Sequence, residues 1–317
     1  MRCVEVPDEF VEEARQLNVM IEAVLAAGPA VHTVTPEQTR QNRALGQGPF
    51  GPIVRSERAV DSSVSGPAGE VRVRTVSPED PAGVYLHIHG GGWTLGAADQ
   101  QDLLLTTVAD QAGVAVVSVD YRLGPEYPFP AAADDCETAA CWLVEHAVEQ
   151  FGTDRLLIGG ESAGAHLSAL TLVRLRDRHG AAAAEAFCGA NLVFGAFDLS
   201  LTPSARSWGE RNLILSTPII EWFTEQFLPG RTPEQRRDPS VSPLYADLRG
   251  LPPALFSVGA LDPLLDDSLF MAARWEAAGN AAELLVYPES PHGFSAFPTA
   301  IAGLAASDQI EFIRRMG

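Results

Sequence analysis

The run Gly160-Glu161-Ser162-Ala163-Gly164 stands between the apolar strand pattern LLIG and a helical pattern that continues to Arg178. Its small residues let the backbone turn sharply, so the Ser162 hydroxyl stands clear at a helix N-terminus. There the positive end of the helix dipole favours a developing negative charge. In a strand–turn–helix setting, and only there, G-x-S-x-G reads as a nucleophile elbow. Upstream, His89-Gly90-Gly91-Gly92-Trp93 closes another apolar strand. Three successive glycines free backbone N–H groups to point inward with no Cβ to block a substrate. Such donors are what the oxyanion of a tetrahedral intermediate needs.

A serine of ordinary pKa needs a base, and the base needs an acid to orient it. His292, in Ser290-Pro291-His292-Gly293-Phe294, lies on a loop just past the last strand pattern, and Asp262 follows the strand pattern ALFSVG. Both fall at the carboxyl ends of strands, the edge at which open α/β sheets bind ligands. The chain order Ser162, Asp262, His292 is the serine–acid–histidine order of an α/β-hydrolase sheet. The other histidines read as bystanders: His87 is packed within a strand, His166 sits on the helix after the elbow, and His32, His146 and His179 are surface or loop residues. Asp266 and Asp267 compete with Asp262, but they are expected in the solvated first turn of the following helix.

These groups must be held by a strand–helix alternation. VRVRTV (71–76) alternates with period two, and VYLHIH (84–89), VAVVSVD (114–120), LLIGG (156–160), ANLVF (190–194), ALFSVG (254–259) and AELLVY (282–287) are short apolar runs. Helical patterns occupy 99–112, 131–151, 162–178, 264–278 and 301–316. The alternation argues an α/β fold with a mostly parallel central sheet flanked by helices on both faces. Two stretches stand outside it. Near the N-terminus, Phe10, Ala14, Leu17, Ile21, Val24 and Leu25 share one helical face that Gly28-Pro29 ends, and Thr35-Pro36 opens a second short helix. Residues 199–250 show no clear buried strand and read as an inserted helical segment rich in aromatic residues.

The composition narrows the chemistry. All 22 basic residues are arginine, against 41 acidic ones, which gives 317 residues a formal charge of −19. Having no lysine excludes a Schiff base, a phosphate-loop lysine and a Ser–Lys nucleophile. The acidic balance argues against nucleic acid and anionic membrane surfaces as partners. Cys3, Cys136, Cys141 and Cys188 show neither a CxxC pair nor metal-like spacing with histidine, so reduced thiols are expected and neither metal nor cofactor is implied. With no secretory signal pattern and no long apolar run, a cytoplasmic location is expected.

Taken in order, His89-Gly90-Gly91-Gly92-Trp93, Tyr121-Arg122-Leu123-Gly124-Pro125-Glu126, Gly160-Glu161-Ser162-Ala163-Gly164, Asp262-Pro263-Leu264 and His292-Gly293-Phe294 resemble the signatures of the bacterial hormone-sensitive-lipase family of α/β-hydrolase carboxylesterases. The resemblance implies Ser162 as nucleophile, His292 as base and then acid, Asp262 as its orienter, and the Gly91, Gly92 and Ala163 N–H groups as oxyanion hole. It implies a helical cap made of residues 1–50 and the insertion 199–250, over a catalytic domain of 51–198 and 251–317. It also implies a buried Arg122–Glu126 ion pair beneath the site. Two departures stand out: Gly124 replaces an alanine, and Ala165-His166 replaces a Gly-Asn pair after the elbow.

Trp93 beside the glycines, with Trp208, Leu213, Ile214 and Trp222 of the insertion, is expected to form an apolar substrate pocket. Such a pocket suits small neutral esters with short or medium acyl chains. The same machinery could serve an acyltransferase, amidase or lyase, and a non-catalytic ligand-binding protein is the remaining alternative. The last strand falls at a sheet edge in this fold, which would allow a homodimer through it.

Overall fold

The computed structural model describes residues 2–67 and 69–317. Nine strands form one sheet: β1 (Arg2–Cys3), β2 (Val60–Gly66), β3 (Gly69–Val76), β4 (Gly83–Ile88), β5 (Val114–Asp120), β6 (Leu156–Glu161), β7 (Phe187–Val193), β8 (Ala254–Leu261) and β9 (Ala282–Pro291). Their spatial order is β1-β9-β8-β7-β6-β4-β5-β3-β2. β2 and β3 form an antiparallel hairpin that joins β5 antiparallel, and all other pairings are parallel. The helices are α1 (Asp8–Ala26), α2 (Pro36–Ala44), α3 (Asp102–Ala112), α4 (Ala131–Phe151), α5 (Ala163–Arg174), α6 (Ala181–Glu185), α7 (Pro203–Ser207), α8 (Thr217–Phe227), α9 (Pro233–Arg236), α10 (Leu265–Ala277) and α11 (Ala300–Met316).

Successive side chains of a strand point to opposite faces, and β4 shows the result. Val84, Leu86 and Ile88 join the apolar layer built with α4, α5 and α10, whereas Tyr85 joins the opposite layer with Leu105 and Val108 of α3 and Ile310 and Ile313 of α11. Covered on both sides, the central strands are apolar throughout, which is why their sequence reads as continuous runs rather than alternation. The register pairs Ile88 of β4 with Gly160 of β6, so the strand leading to the triple glycine and the strand leading to Ser162 end side by side.

Three features depart from the sequence reading. The hairpin strand β2 carries only one buried side chain, Val64, so no apolar period marked it. β9 is not the edge: β1 lies parallel outside it, pairing Arg2 with Leu285 and Cys3 with Val286. The helical pattern at 162–178 ends as an α-helix at Arg174 and continues as a wider π turn over Leu175–His179.

The N-terminal helices and the insertion meet. Thr35 accepts the Gln38 N–H at 3.2 Å and Pro36 follows it, the expected start of α2. Leu17 and Ile21 of α1 gather with Leu213 of the insertion and with Phe297 in a small apolar cluster of their own. No helix among the described residues is long and apolar enough to cross a membrane.

Candidate active site

Ser162 stands between β6 and α5 with φ 56° and ψ −118°, a left-handed backbone that a non-glycine residue holds only where the surroundings impose it. The surroundings are the main chain of β4. A Cβ added to Gly160 would sit 1.9 Å from the Ile88 carbonyl oxygen, and one on Gly164 would sit 1.8 Å from the same atom. Both glycines of the elbow therefore leave room for one carbonyl. The Ser162 N–H donates to Val193 O at 2.8 Å, and its carbonyl accepts the His166 N–H at 3.1 Å. The hydroxyl is left facing His292.

His292 follows β9 directly. Its Nε2 lies 2.9 Å from Ser162 Oγ and its Nδ1 2.8 Å from Asp262 Oδ2. The other carboxylate oxygen, Oδ1, accepts the Leu264 N–H at 2.8 Å. A carboxylate accepts only, so Nδ1 carries the proton and Nε2 is left to accept from the serine. His292 and Asp262 are 5% and 2% exposed, and the ring of Phe194 meets the imidazole edge-on at 4.8 Å. The three residues named from the sequence thus form one chain of hydrogen bonds, an arrangement that can take the serine proton during attack and return it to a leaving group.

The competing aspartates lie elsewhere, though not in solvent as expected. Asp267 is fully buried and accepts from Phe197 N (2.7 Å), Asp198 N (2.9 Å) and the Thr202 hydroxyl (2.6 Å). Burial pushes its carboxyl up to about 7 against these three donors. The chain leaving β7 for the insertion folds over this helix turn, a long-range event that the turn's own sequence does not announce.

The glycine turn lies against the elbow. A Cβ on Gly90 would come within 3.5 Å of Ser162 Cβ. Gly91 and Gly92 have φ values of 122° and 60°, and Cβ atoms there would meet Leu95 O and the ring of Phe223, each at 2.2 Å. His89 anchors the near end: its Nδ1–H donates to Gly90 O at 2.8 Å, its ring stacks on Tyr121 at 4.1 Å, and the Tyr121 hydroxyl donates to His89 O at 2.9 Å. Burial drives the His89 imidazole down to about 4, so it stays neutral. Beneath the elbow, Glu161 meets His87 Nε2 at 3.1 Å, and His87 Nδ1 meets Ser118 Oγ at 3.1 Å. Among the described residues no three His, Cys, Asp or Glu side chains gather as a metal site.

A family model described as the alpha/beta hydrolase fold matches residues 85–296. The chain belongs to the α/β-hydrolase family. It is 37% identical to the carboxylic ester hydrolase LipN of Mycobacterium tuberculosis over 80% of this chain and 68% of that protein. It is 35% identical to an ethyl acetate hydrolase of Pseudomonas putida over 71% of this chain and 70% of that protein. A solved hyperthermophilic esterase of Pyrobaculum calidifontis superposes with a TM-score of 0.83 at 29% identity, covering 95% of this chain and 97% of that one. With the motifs above, these relatives make the protein a carboxylic ester hydrolase of the hormone-sensitive-lipase type.

In this hydrolase the expected Arg122–Glu126 pair is absent. Arg122 forks onto Asp135 at 2.8–3.1 Å, and Glu126 accepts from both terminal nitrogens of Arg40 at 2.8 and 2.9 Å. Arg40, on α2, also donates to Thr94 O (2.8 Å) and Gly124 O (2.6 Å), tying this N-terminal helix to the segment after the triple glycine. An arginine that satisfies two carbonyls and a carboxylate outcompetes one that reaches the carboxylate alone. Nothing in the sequence flags Arg40, because its partners lie 54 to 86 residues away.

The five residues expected to line the pocket divide. Phe223 covers Gly92 at the glycine turn, and Trp222 meets Phe223 edge-on at 5.0 Å. Leu213 is fully buried in the cluster with α1, where Ile214 and Trp208 are half-buried; Trp208 donates its indole N–H to Arg211 O at 2.7 Å. Those three residues join α1 to the 199–250 segment. Trp93 is 3% exposed, with its ring stacked on Phe227 at 4.7 Å and its indole N–H donated to His166 Nδ1 at 3.0 Å. Phe194, edge-on to His292, is a neighbour of the site that sequence reasoning did not single out.

Proposed function

We propose that this hydrolase cleaves small neutral esters with short or medium acyl chains through an acyl-enzyme on Ser162. The observation that carries the reading is the Ser162–His292–Asp262 hydrogen-bond chain at 2.9 and 2.8 Å. Ser162 Oγ attacks the ester carbonyl as His292 Nε2 takes its proton, and the Asp262 carboxylate stabilises the imidazolium. The tetrahedral oxyanion lies against the Gly91, Gly92 and Ala163 N–H groups. When the C–O bond breaks, His292 returns the proton to the departing alcohol. A water then repeats the sequence, giving up a proton to His292 and releasing the carboxylic acid.

Substrate size follows from the cap. Phe223 rests on Gly92, and Trp222 packs beside it, which favours short acyl groups. Relatives bearing the names ethyl acetate hydrolase and acetyl esterase point the same way. The formal charge of −19 disfavours anionic substrates at the mouth. Four free thiols, one of them the exposed Cys3, support a cytoplasmic location.

Covalent labelling of Ser162 by a fluorophosphonate, located by peptide mass spectrometry, tests the nucleophile. Turnover in ¹⁸O-water tests hydrolysis against transfer: label in the released acid supports hydrolysis, and its absence overturns it.

A further inference from the structure

His166 occupies the first turn of α5, where the sequence departs from its family, and its imidazole is fully buried between three parts of the molecule. Nδ1 faces the Trp93 indole nitrogen at 3.0 Å, and Nε2 faces Val241 O at 2.8 Å. An indole nitrogen only donates and a carbonyl only accepts. The two partners therefore fix the ring without ambiguity: neutral, with its proton on Nε2 and its lone pair turned to Trp93. Burial, together with the helix N-terminus, disfavours the cation, and the imidazole is driven down to about 4.

The partners make this ring more than a filled space. Trp93 directly follows Gly91 and Gly92 and has φ 57°, a conformation that a bulky residue keeps only under external restraint. The visible restraints are the bond to His166, the stack on Phe227 of α8, and the Gly124 N–H bonded to Trp93 O at 2.8 Å. Phe227 in turn meets His166 edge-on at 5.9 Å, and Val241 lies in the later part of the insertion. One imidazole thus touches the helix of the nucleophile, the residue that sets the glycine turn, and the cap.

On the serine-hydrolase reading above, we propose that His166 is a positioning residue, whose acceptance of the Trp93 indole proton holds the Gly91–Gly92 turn in its oxyanion-binding conformation.

Two substitutions separate this role from bulk packing. In His166→Asn the amide oxygen takes the place of Nδ1 and can still accept from Trp93. In His166→Gln the amide reaches the place of Nε2, so the bond to Val241 is kept and the bond to Trp93 is lost. With p-nitrophenyl acetate, H166Q is expected to lose about 10- to 100-fold in kcat, the worth of one buried hydrogen bond expressed in the transition state, with KM within about threefold. H166N is expected to recover most of that kcat. The inhibition constant of a trifluoromethyl ketone, which forms an oxyanion on the serine, rises with the loss in H166Q and not in H166N. Trp93→Phe removes the same bond from the other side and reads it if H166Q does not fold; W93F is expected to lose kcat to a similar extent. The proposal is overturned if H166Q or W93F keeps wild-type kcat and ketone affinity, or if the Asn and Gln variants fall together in parallel with their melting temperatures. Failure of the serine-hydrolase reading looks different: the wild-type protein itself is then neither labelled at Ser162 nor active on the ester.

Discussion

The Asp262→Asn substitution tests the reasoning at its most specific, because the structure decides which way the new amide must face. Asp262 is 2% exposed, and its two oxygens have separate duties: Oδ1 accepts the Leu264 N–H and Oδ2 accepts from His292 Nδ1, both at 2.8 Å. If asparagine turned its NH₂ toward Leu264, two buried donors would face each other, at a cost of about 1–3 kcal/mol. That is a preference of roughly 5- to 150-fold for the opposite orientation. The amide oxygen therefore stays on Leu264, and the NH₂ points at His292. Nδ1 must then accept, the ring proton moves to Nε2, and Nε2 can no longer take the proton of Ser162. The same tautomer error in serine proteases lowers kcat by about 10⁴, equivalent to about 5.4 kcal/mol at 1.36 kcal/mol per tenfold. The expected result is a loss of that order in kcat for p-nitrophenyl acetate, a matching slowing of fluorophosphonate labelling, and a melting temperature close to wild type. A variant within tenfold of wild type would refute the argument. So would an equal loss of kcat in the Asp267→Asn variant with its fold intact.

Ser162→Ala, folded normally, is expected to lose p-nitrophenyl ester hydrolysis by several orders of magnitude. Gly92→Ala sets a Cβ 2.2 Å from the Phe223 ring at a φ of 60° and is expected to lower kcat about 100-fold, with partial recovery when Phe223→Ala is added. Arg40 holds the Glu126 carboxyl below its ordinary value of 4.5, so the pair's contribution is complete above that pH and fades as pH falls through the lower folded value. Because Glu126 is half exposed, Glu126→Gln is expected to lower Tm by only about 1–2 °C at pH 7. The gap between the two melting curves should close as the buffer is taken below pH 4.5. Across a p-nitrophenyl ester series, kcat/KM is expected to peak at acetate to butyrate, and a maximum at palmitate would contradict the cap reading.

The candidate site was legible in the sequence because the placement of its residues depends on local grammar. Ser162, Asp262 and His292 each sit immediately after an apolar strand, and a strand's end fixes where its next residue stands. The buried strands and the long helices were readable from periodicity for the same reason. What could not be read depends on contacts between distant segments. β2 is exposed on most of its length and exists by pairing with β3. Asp267 is buried by a loop reaching it from about 70 residues away. Arg40 replaces Arg122 as the partner of Glu126 because α2 brings it there. Trp93 was expected in the pocket from its place beside the glycines, but the direction of its ring is set by His166 and Phe227.

The Ile88 carbonyl that fills the space of both elbow glycines has a consequence for how such a protein can change. Ser162 and the glycine turn are both referenced to the end of one rigid strand, so their separation is set mainly outside the insertion. New substrate ranges can then be explored by varying residues 199–250 without retuning the reacting atoms. The exceptions are Phe223, which lies on Gly92, and Phe227 and Val241, which touch Trp93 and His166. A library that randomises the insertion while keeping these three constant should retain a far larger fraction of active members than one that does not.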